Sequence, residues 1–263
     1  MERLAFTPGM LRRPAPTGID AVTTLRHFAI VTWAVPPERL RPLVHPRFEL
    51  DCVEVGGAPR ALLSAVPFED QDFRAAAFPG PRWRFGQTNY RVYVRDRRTS
   101  GRAAWFLGTT LGSLTVALPR LLWRLPWHYG RFEFDCRQDA SGRYVSYRVA
   151  TRSRWAPAVL ELAHEPETPP RFPGFPDAET ALVVLTHPLE GWYTRRDGQL
   201  GSYSVWHEPL APASGRVVTA RLGLLDRLGL VPFAEQAEAH SVLIQPRTEF
   251  LIRLPPRACA DDA

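Results

Sequence analysis

The sequence predicts a largely β chain of the α+β class, and three features carry that expectation. Segments that alternate apolar and polar residues recur along the chain, as in Gln87 to Arg95 and Arg131 to Arg137. Turn signals separate them, namely Gly56-Gly57-Ala58-Pro59, Asp139-Ala140-Ser141-Gly142 and Asp197-Gly198. Helical spacing is confined to short stretches.

In chain order, Leu25 to Trp33 is extended and rich in β-branched residues, and Pro36-Pro37 ends it. A helical turn follows with Leu40, Leu43 and Val44 on one side. Phe48 to Val55 and Arg60 to Phe68 flank a glycine hairpin, and residues 69 to 86 read as loop from their Pro, Gly and Arg content. Gln87 to Arg95 puts Asn89, Arg91 and Tyr93 on one face and Tyr90, Val92 and Val94 on the other. Arg102 to Thr110 is the next strand, and Ser113 caps a helix running to about Arg124. Strands are expected at Arg131 to Arg137, Arg143 to Thr151 and Ala158 to Ala163, then a helix capped at Asp177. Trp192 to Arg195 and Leu200 to His207 form a hairpin around Asp197-Gly198. Val218 to Leu228 reads as an amphipathic helix through Leu222, Leu225 and Leu228, and strands at Val242 to Ile244 and Thr248 to Leu254 follow.

The 263 residues are read as a single domain, 1–263, with a core of about residues 20–257 and flexible ends. Hydrophobic residues make up 45% of the chain, enough for a large core without covalent staples. The 3 cysteines are widely spaced with no C-x-x-C, which argues against a disulfide framework or a zinc site. The N-terminal residues lack a continuous apolar run, and the uncharged stretch Ala103 to Leu118 is shorter than a membrane span. A cytoplasmic protein with no membrane partner is the expectation.

No nucleotide-binding glycine loop, G-x-S-x-G or H-E-x-x-H is present, and the 7 histidines never fall at metal-ligand spacing. No metal or cofactor is therefore expected. The net charge of +6 comes from scattered arginines, with the densest run at Arg95-Asp96-Arg97-Arg98 between two strands. That run reads as a solvated hairpin tip, and no nucleic-acid partner is expected. All 33 basic residues are arginine. Arginine forms no imine at neutral pH, so lysine Schiff-base chemistry is excluded.

Two segments carry a likeness to a known superfamily. RHFAIVTWAVPPERLRPLV, Arg26 to Val44, resembles the opening strand and short helix of acetoacetate decarboxylase-like proteins. PRLLWRLPWHYG, Pro119 to Gly130, resembles their helix in which an arginine precedes a proline by six residues, here Arg120 and Pro126. The two lysines that follow that proline in the decarboxylases are Trp127 and His128 here. The closer likeness is to the YqjF-like branch, catalogued as the DUF2071 domain of unknown function. It rests on Asn89, Arg91, Tyr93 and Val94 of the strand, on Leu125-Pro126-Trp127, and on Trp206-His207-Glu208-Pro209-Leu210. Thr186-His187-Pro188 departs from it, standing where the resemblance would have a Glu-Arg pair.

The resemblance implies a cone-shaped, mostly antiparallel β-barrel with a few flanking helices and a central cavity. It also implies a ligand, a small anionic or carbonyl metabolite, and a set of contacts: Arg26, Asn89, Arg91, Tyr93, Trp127 and His128. Arg26 falls within a residue of the decarboxylase arginine that meets the substrate carboxylate. His128, Arg91 and Tyr93 are the candidates for acid–base or electrostatic catalysis. Three readings stay open: a small-molecule-binding protein, a lyase- or hydrolase-type enzyme acting on a keto acid or polyketide-like compound without a Schiff base, and a non-catalytic sensor module.

The lysine-free composition makes a direct prediction. Borohydride reduction in the presence of labelled acetoacetate or acetopyruvate leaves no adduct at any internal residue once the α-amino group is blocked; mass spectrometry finding an internal adduct would refute the chemical argument.

Overall fold

The structure, a computed structural model, describes residues 2–78, 80–114 and 117–259, without the side chains of 118 and 119. Fifteen strands join one sheet among these residues. In chain order they are β1 (Ala21–Val35), β2 (Phe48–Leu50), β3 (Cys52–Val55), β4 (Ala58–Ala75), β5 (Trp83–Asp96), β6 (Arg102–Leu111), β7 (Trp127–Tyr129) and β8 (Arg131–Gln138). Then come β9 (Tyr144–Arg152), β10 (Ala158–Glu165), β11 (Glu190–Thr194), β12 (Leu200–Trp206), β13 (Ala213–Leu222), β14 (Ser241–Ile252) and β15 (Arg257–Cys259). The helices are α1 (Pro8–Leu11), α2 (Pro37–Leu40), α3 (Ala117–Leu122), α4 (Ala178–Thr186) and α5 (Gly223–Arg227).

Several expected elements change shape. Residues 69 to 86 are not a loop: β4 continues to Ala75 and β5 starts at Trp83. Cross-strand pairing tolerates the charges, with Arg84 Nε 2.8 Å from Glu69 Oε1. Phe48 to Val55 splits at Asp51, a buried carboxylate that takes Arg95 and Arg102 at 3.0 and 2.9 Å. Val218 to Leu228 is not one helix. The β-branched Val217-Val218-Thr219 run continues β13 to Leu222 in a ladder with β10, and only Gly223–Arg227 is helical. The last two expected strands are one, β14; Pro246, which has no N–H to donate, lies opposite His27 (φ 51°) of β1, in the stretch between Arg26 and Val31 where β1 bulges by one residue against β4. The expected cap at Ser113 leads into residues 115 and 116, outside the described residues. Helix α3 stops short of Arg124, whose φ of 53° is incompatible with continuing it. The Arg95 to Arg98 tip carries acid partners, Arg97 pairing with Glu49 at 2.8 Å.

The pairing order β12-β11-β6-β5-β4-β1-β14 returns on itself, because β14 also pairs with β12 through Val205–Ile252 and Trp206–Leu251. Most pairs are antiparallel; β6 meets β7 and β11 in parallel. Beyond β14 the sheet continues through β13, β10, β9 and β8. These strands fold back over the outer side of β1, β4 and β5. The main apolar core lies between the two layers, with Val31, Trp33, Tyr90 and Val92 on one side and Tyr147, Leu160 and Val217 on the other. Gly86 lets the layers approach: a Cβ there would stand 2.5 Å from the Phe132 ring. The inner side of the same strands is free to line a cavity.

Candidate functional site

The alternation of β5 is kept, and its two faces have different fates. Thr88, Tyr90 and Val92 are buried in or beside the main core. Gln87, Asn89 and Arg91 face inward and line a cavity of about 420 Å³. Its remaining wall is largely aromatic and aliphatic, including Phe28, Phe68 and Phe106 and the indoles Trp83, Trp123 and Trp127.

Arg91 is half-buried at this wall. Its Nη2 donates to the Leu185 carbonyl at 2.7 Å and to the Tyr93 hydroxyl at 3.4 Å. Leu185 belongs to the last turn of α4, whose final carbonyls lack helical partners and carry partial negative charge. Among the described residues no carboxylate stands within ion-pairing distance of Arg91, and its buried Nε has no hydrogen-bond partner. Asn89 Oδ1 accepts from Gln87 Nε2 at 2.9 Å and from Thr109 Oγ1 at 2.7 Å.

The other expected site residues are placed elsewhere. Tyr93 shares the inward face of β5 but lies beyond the cavity lining, its hydroxyl bonding Ser64 at 2.8 Å and the Leu185 carbonyl at 3.2 Å. It braces Arg91. Arg26 does not line the cavity, because the neighbouring Leu25 points inward and alternation turns Arg26 to the opposite side of β1. His128 is separated from Trp127 in the same way: Trp127 lines the cavity, while His128 stacks on Trp155 with centroids 4.0 Å apart and planes 8° apart. Burial, helped by the Arg120 and Arg196 charges, pushes the His128 imidazole down to about 4. Arg120 itself lines a separate hollow of about 230 Å³ with Arg124 and Arg196.

Three cavity groups were not anticipated. His207 is buried, stacks on Phe250 at 4.3 Å, and holds both ring nitrogens against carbonyls, Nδ1 to Glu208 at 2.7 Å and Nε2 to Thr186 at 3.0 Å. Burial pushes it down to about 4, and a neutral ring carries one N–H, so it donates to only one of these two carbonyls. Tyr203 stacks on Phe106 at 5.5 Å. Asp70 is 2% exposed; its Oδ1 accepts from Thr23 Oγ1 at 2.9 Å, and its Oδ2 has no hydrogen-bond partner. Burial raises its carboxyl to about 7. Asp70 lay in the stretch read as loop, but Val66, Phe68 and Asp70, all cavity-lining, repeat at the strand period and could have revealed it.

Among the described residues no group of three or more His, Cys, Asp or Glu side chains could hold a metal ion, and no helix is long and apolar enough to cross a membrane.

The mostly antiparallel sheet wrapped around an inner cavity has the fold of acetoacetate decarboxylase-like proteins. An acetoacetate decarboxylase from Legionella pneumophila aligns with a TM-score of 0.58 at 14% identity, over 100% of this chain and 99% of that one. An acetoacetate decarboxylase-like enzyme from Sphingomonas wittichii RW1 gives 0.60 at 7% identity, over 97% and 99%. The enduracididine biosynthesis enzyme MppR, in a complex with pyruvate, gives 0.57 at 14% identity, over 100% of both chains. No curated protein sequence matches. The model of the DUF2071 family, described as an uncharacterised conserved protein, matches residues 22–249, and the chain belongs to that family.

The histidine environment sets a pH dependence. A folded-state value below the ordinary 6.5 means that the unfolded chain binds the proton first, so stability is full above about 6.5 and is lost as pH falls toward 4. Urea unfolding at a series of pH values therefore shows a fall in stability through this window. The fall is shallower for His128→Phe, which keeps the stack on Trp155; identical slopes for the two proteins would contradict the assignment.

Proposed function

We propose that this protein binds a small carboxylate or carbonyl metabolite in its central cavity, with Arg91 as the anionic anchor. One observation carries the reading: a guanidinium lines an apolar-walled cavity with no carboxylate partner in reach among the described residues. A cation so placed is stabilised by an anion, and the planar guanidinium suits a carboxylate. The pyruvate complex of the similarly folded MppR supports a keto-acid ligand. We read the closed strand circuit as the family's cone-shaped barrel, the whole chain as one domain, and the three unpaired cysteines as fitting a reducing, cytoplasmic setting.

A second reading, an enzyme that works without a Schiff base, is favoured by Asp70. A buried carboxyl held near 7 can take or give a proton at neutral pH. Tyr93 and His128, both committed to protein contacts, leave Arg91 as the electrostatic group of the original candidates.

The anchor is tested by calorimetric titration against a panel of keto and hydroxy acids. Arg91→Ala weakens binding of an anionic ligand by about 2–5 kcal/mol, the range for a buried charge pair losing one partner. Arg97→Ala, on an exposed pair with Glu49, changes it by well under ~1 kcal/mol. Equal behaviour of the two variants would remove Arg91 from the site.

A further inference from the structure

The polar groups of the cavity are unequally engaged. Gln87 and Asn89 bond each other, Thr186 Oγ1 donates to the Leu182 carbonyl at 2.6 Å, and the one N–H of neutral His207 has a carbonyl acceptor in reach. Two oppositely ionisable groups keep unmatched capacity: Arg91, with a buried unpaired Nε, and Asp70, with a buried unpaired Oδ2. Tyr203 lines the same cavity, close enough to Arg91 for the guanidinium charge to act on its phenol.

Arg91 and Asp70 are far apart. Asp70 lies in register with Phe85 of β5. Arg91 is six residues further along the same strand, which at about 3.3 Å per residue puts the two levels roughly 20 Å apart. Between them the wall is mostly apolar, the exceptions on β5 being Gln87 and Asn89, which bond each other. The cavity is also large for a keto acid of three carbons. At ~30 Å³ for each water-sized atom, 420 Å³ holds about fourteen non-hydrogen atoms, against about six in pyruvate.

We infer that the ligand is an elongated acid with an apolar body, its carboxylate held by Arg91 and Tyr203 and its far end presenting an N–H or O–H donor to Asp70. This rests on the binding function proposed above and extends it. The Asp70 end is walled by Phe73, Trp83 and Phe85, whose rings lie 5.5 to 6.4 Å apart. An unmatched carboxyl oxygen among aromatic rings is costly, and a donor on the ligand removes that cost. Rings of this kind also favour an ammonium group.

Pyruvate, dodecanoate, 12-hydroxydodecanoate and 12-aminododecanoate test the inference by calorimetry. A twelve-carbon chain, roughly 14 Å long from C–C bonds of about 1.5 Å, spans most of the interval once the anchoring side chains reach inward. Each buried methylene tightens binding by about fourfold, so dodecanoate should bind at least ~100-fold more tightly than pyruvate. At least one of the tail-substituted acids should exceed dodecanoate by about fivefold or more. An advantage of the amino acid alone assigns an ammonium, and of the hydroxy acid alone a hydroxyl. Asp70→Leu should reverse the order, and the near-isosteric Asp70→Asn should abolish any amino-tail advantage. No gain with chain length, no gain from either tail, or a tail preference that survives both substitutions would overturn the inference. Pyruvate binding indifferent to Arg91→Ala would instead overturn the anchor.

Discussion

Strand β5 is covered on both faces, and that constraint decides where the chemistry can be. Its outer face packs into the core under the folded-back strands, where Tyr90 and Val92 are fully buried. Its inner face meets the cavity from Phe85 to Arg91 and the end of α4 at Tyr93. A two-residue period then forces Gln87, Asn89 and Arg91 inward together. A slip of one residue would bury three polar side chains in the main core and leave three largely apolar ones facing the cavity, so the register is strongly fixed.

The same constraint sorts the neighbouring strands. On β7 it puts Trp127 in the cavity and His128 on Trp155. On β1 it turns Leu25 inward and Arg26 away, and the bulge between Arg26 and Val31 restores the inward direction at Phe28. Helix α4 closes the cavity near Arg91, and its last carbonyls are met by the Arg91 guanidinium and the His207 ring. Arg91 thus has a structural contact and spare donors at once. The helix end orients the guanidinium, and the unused nitrogens are what a ligand could engage.

How much of this was legible in the sequence depends on what each signal reports. Alternation identified the Asn89, Arg91 and Tyr93 face, and turn residues placed most hairpins, because both depend on local backbone geometry. Composition misled where cross-strand partners matter: the charges of residues 69 to 75 are paired or buried within a strand, so Asp70 was hidden in an apparent loop. Leucine spacing misled at Val218 to Leu228, where the ladder with β10 holds the first half extended. Whether an aligned residue meets the cavity was not legible at all for Arg26 and His128, because a single position separates inside from outside. His207 lay in a segment that carried the family likeness, but its closure against α4 is a long-range contact.

The claim on which the rest depends is that Arg91 holds an anion inside the cavity. A crystal structure of the protein grown with 3-iodobenzoate tests it most directly, since anomalous scattering from iodine locates the ligand independently of the protein phases. With Arg91 as the anchor, the iodine lies among the aromatic walls and the carboxylate within about 3 Å of the Arg91 guanidinium, the distance of a charge-assisted hydrogen bond. A carboxylate bound elsewhere, with Arg91 still held only by Leu185 and Tyr93, would contradict it.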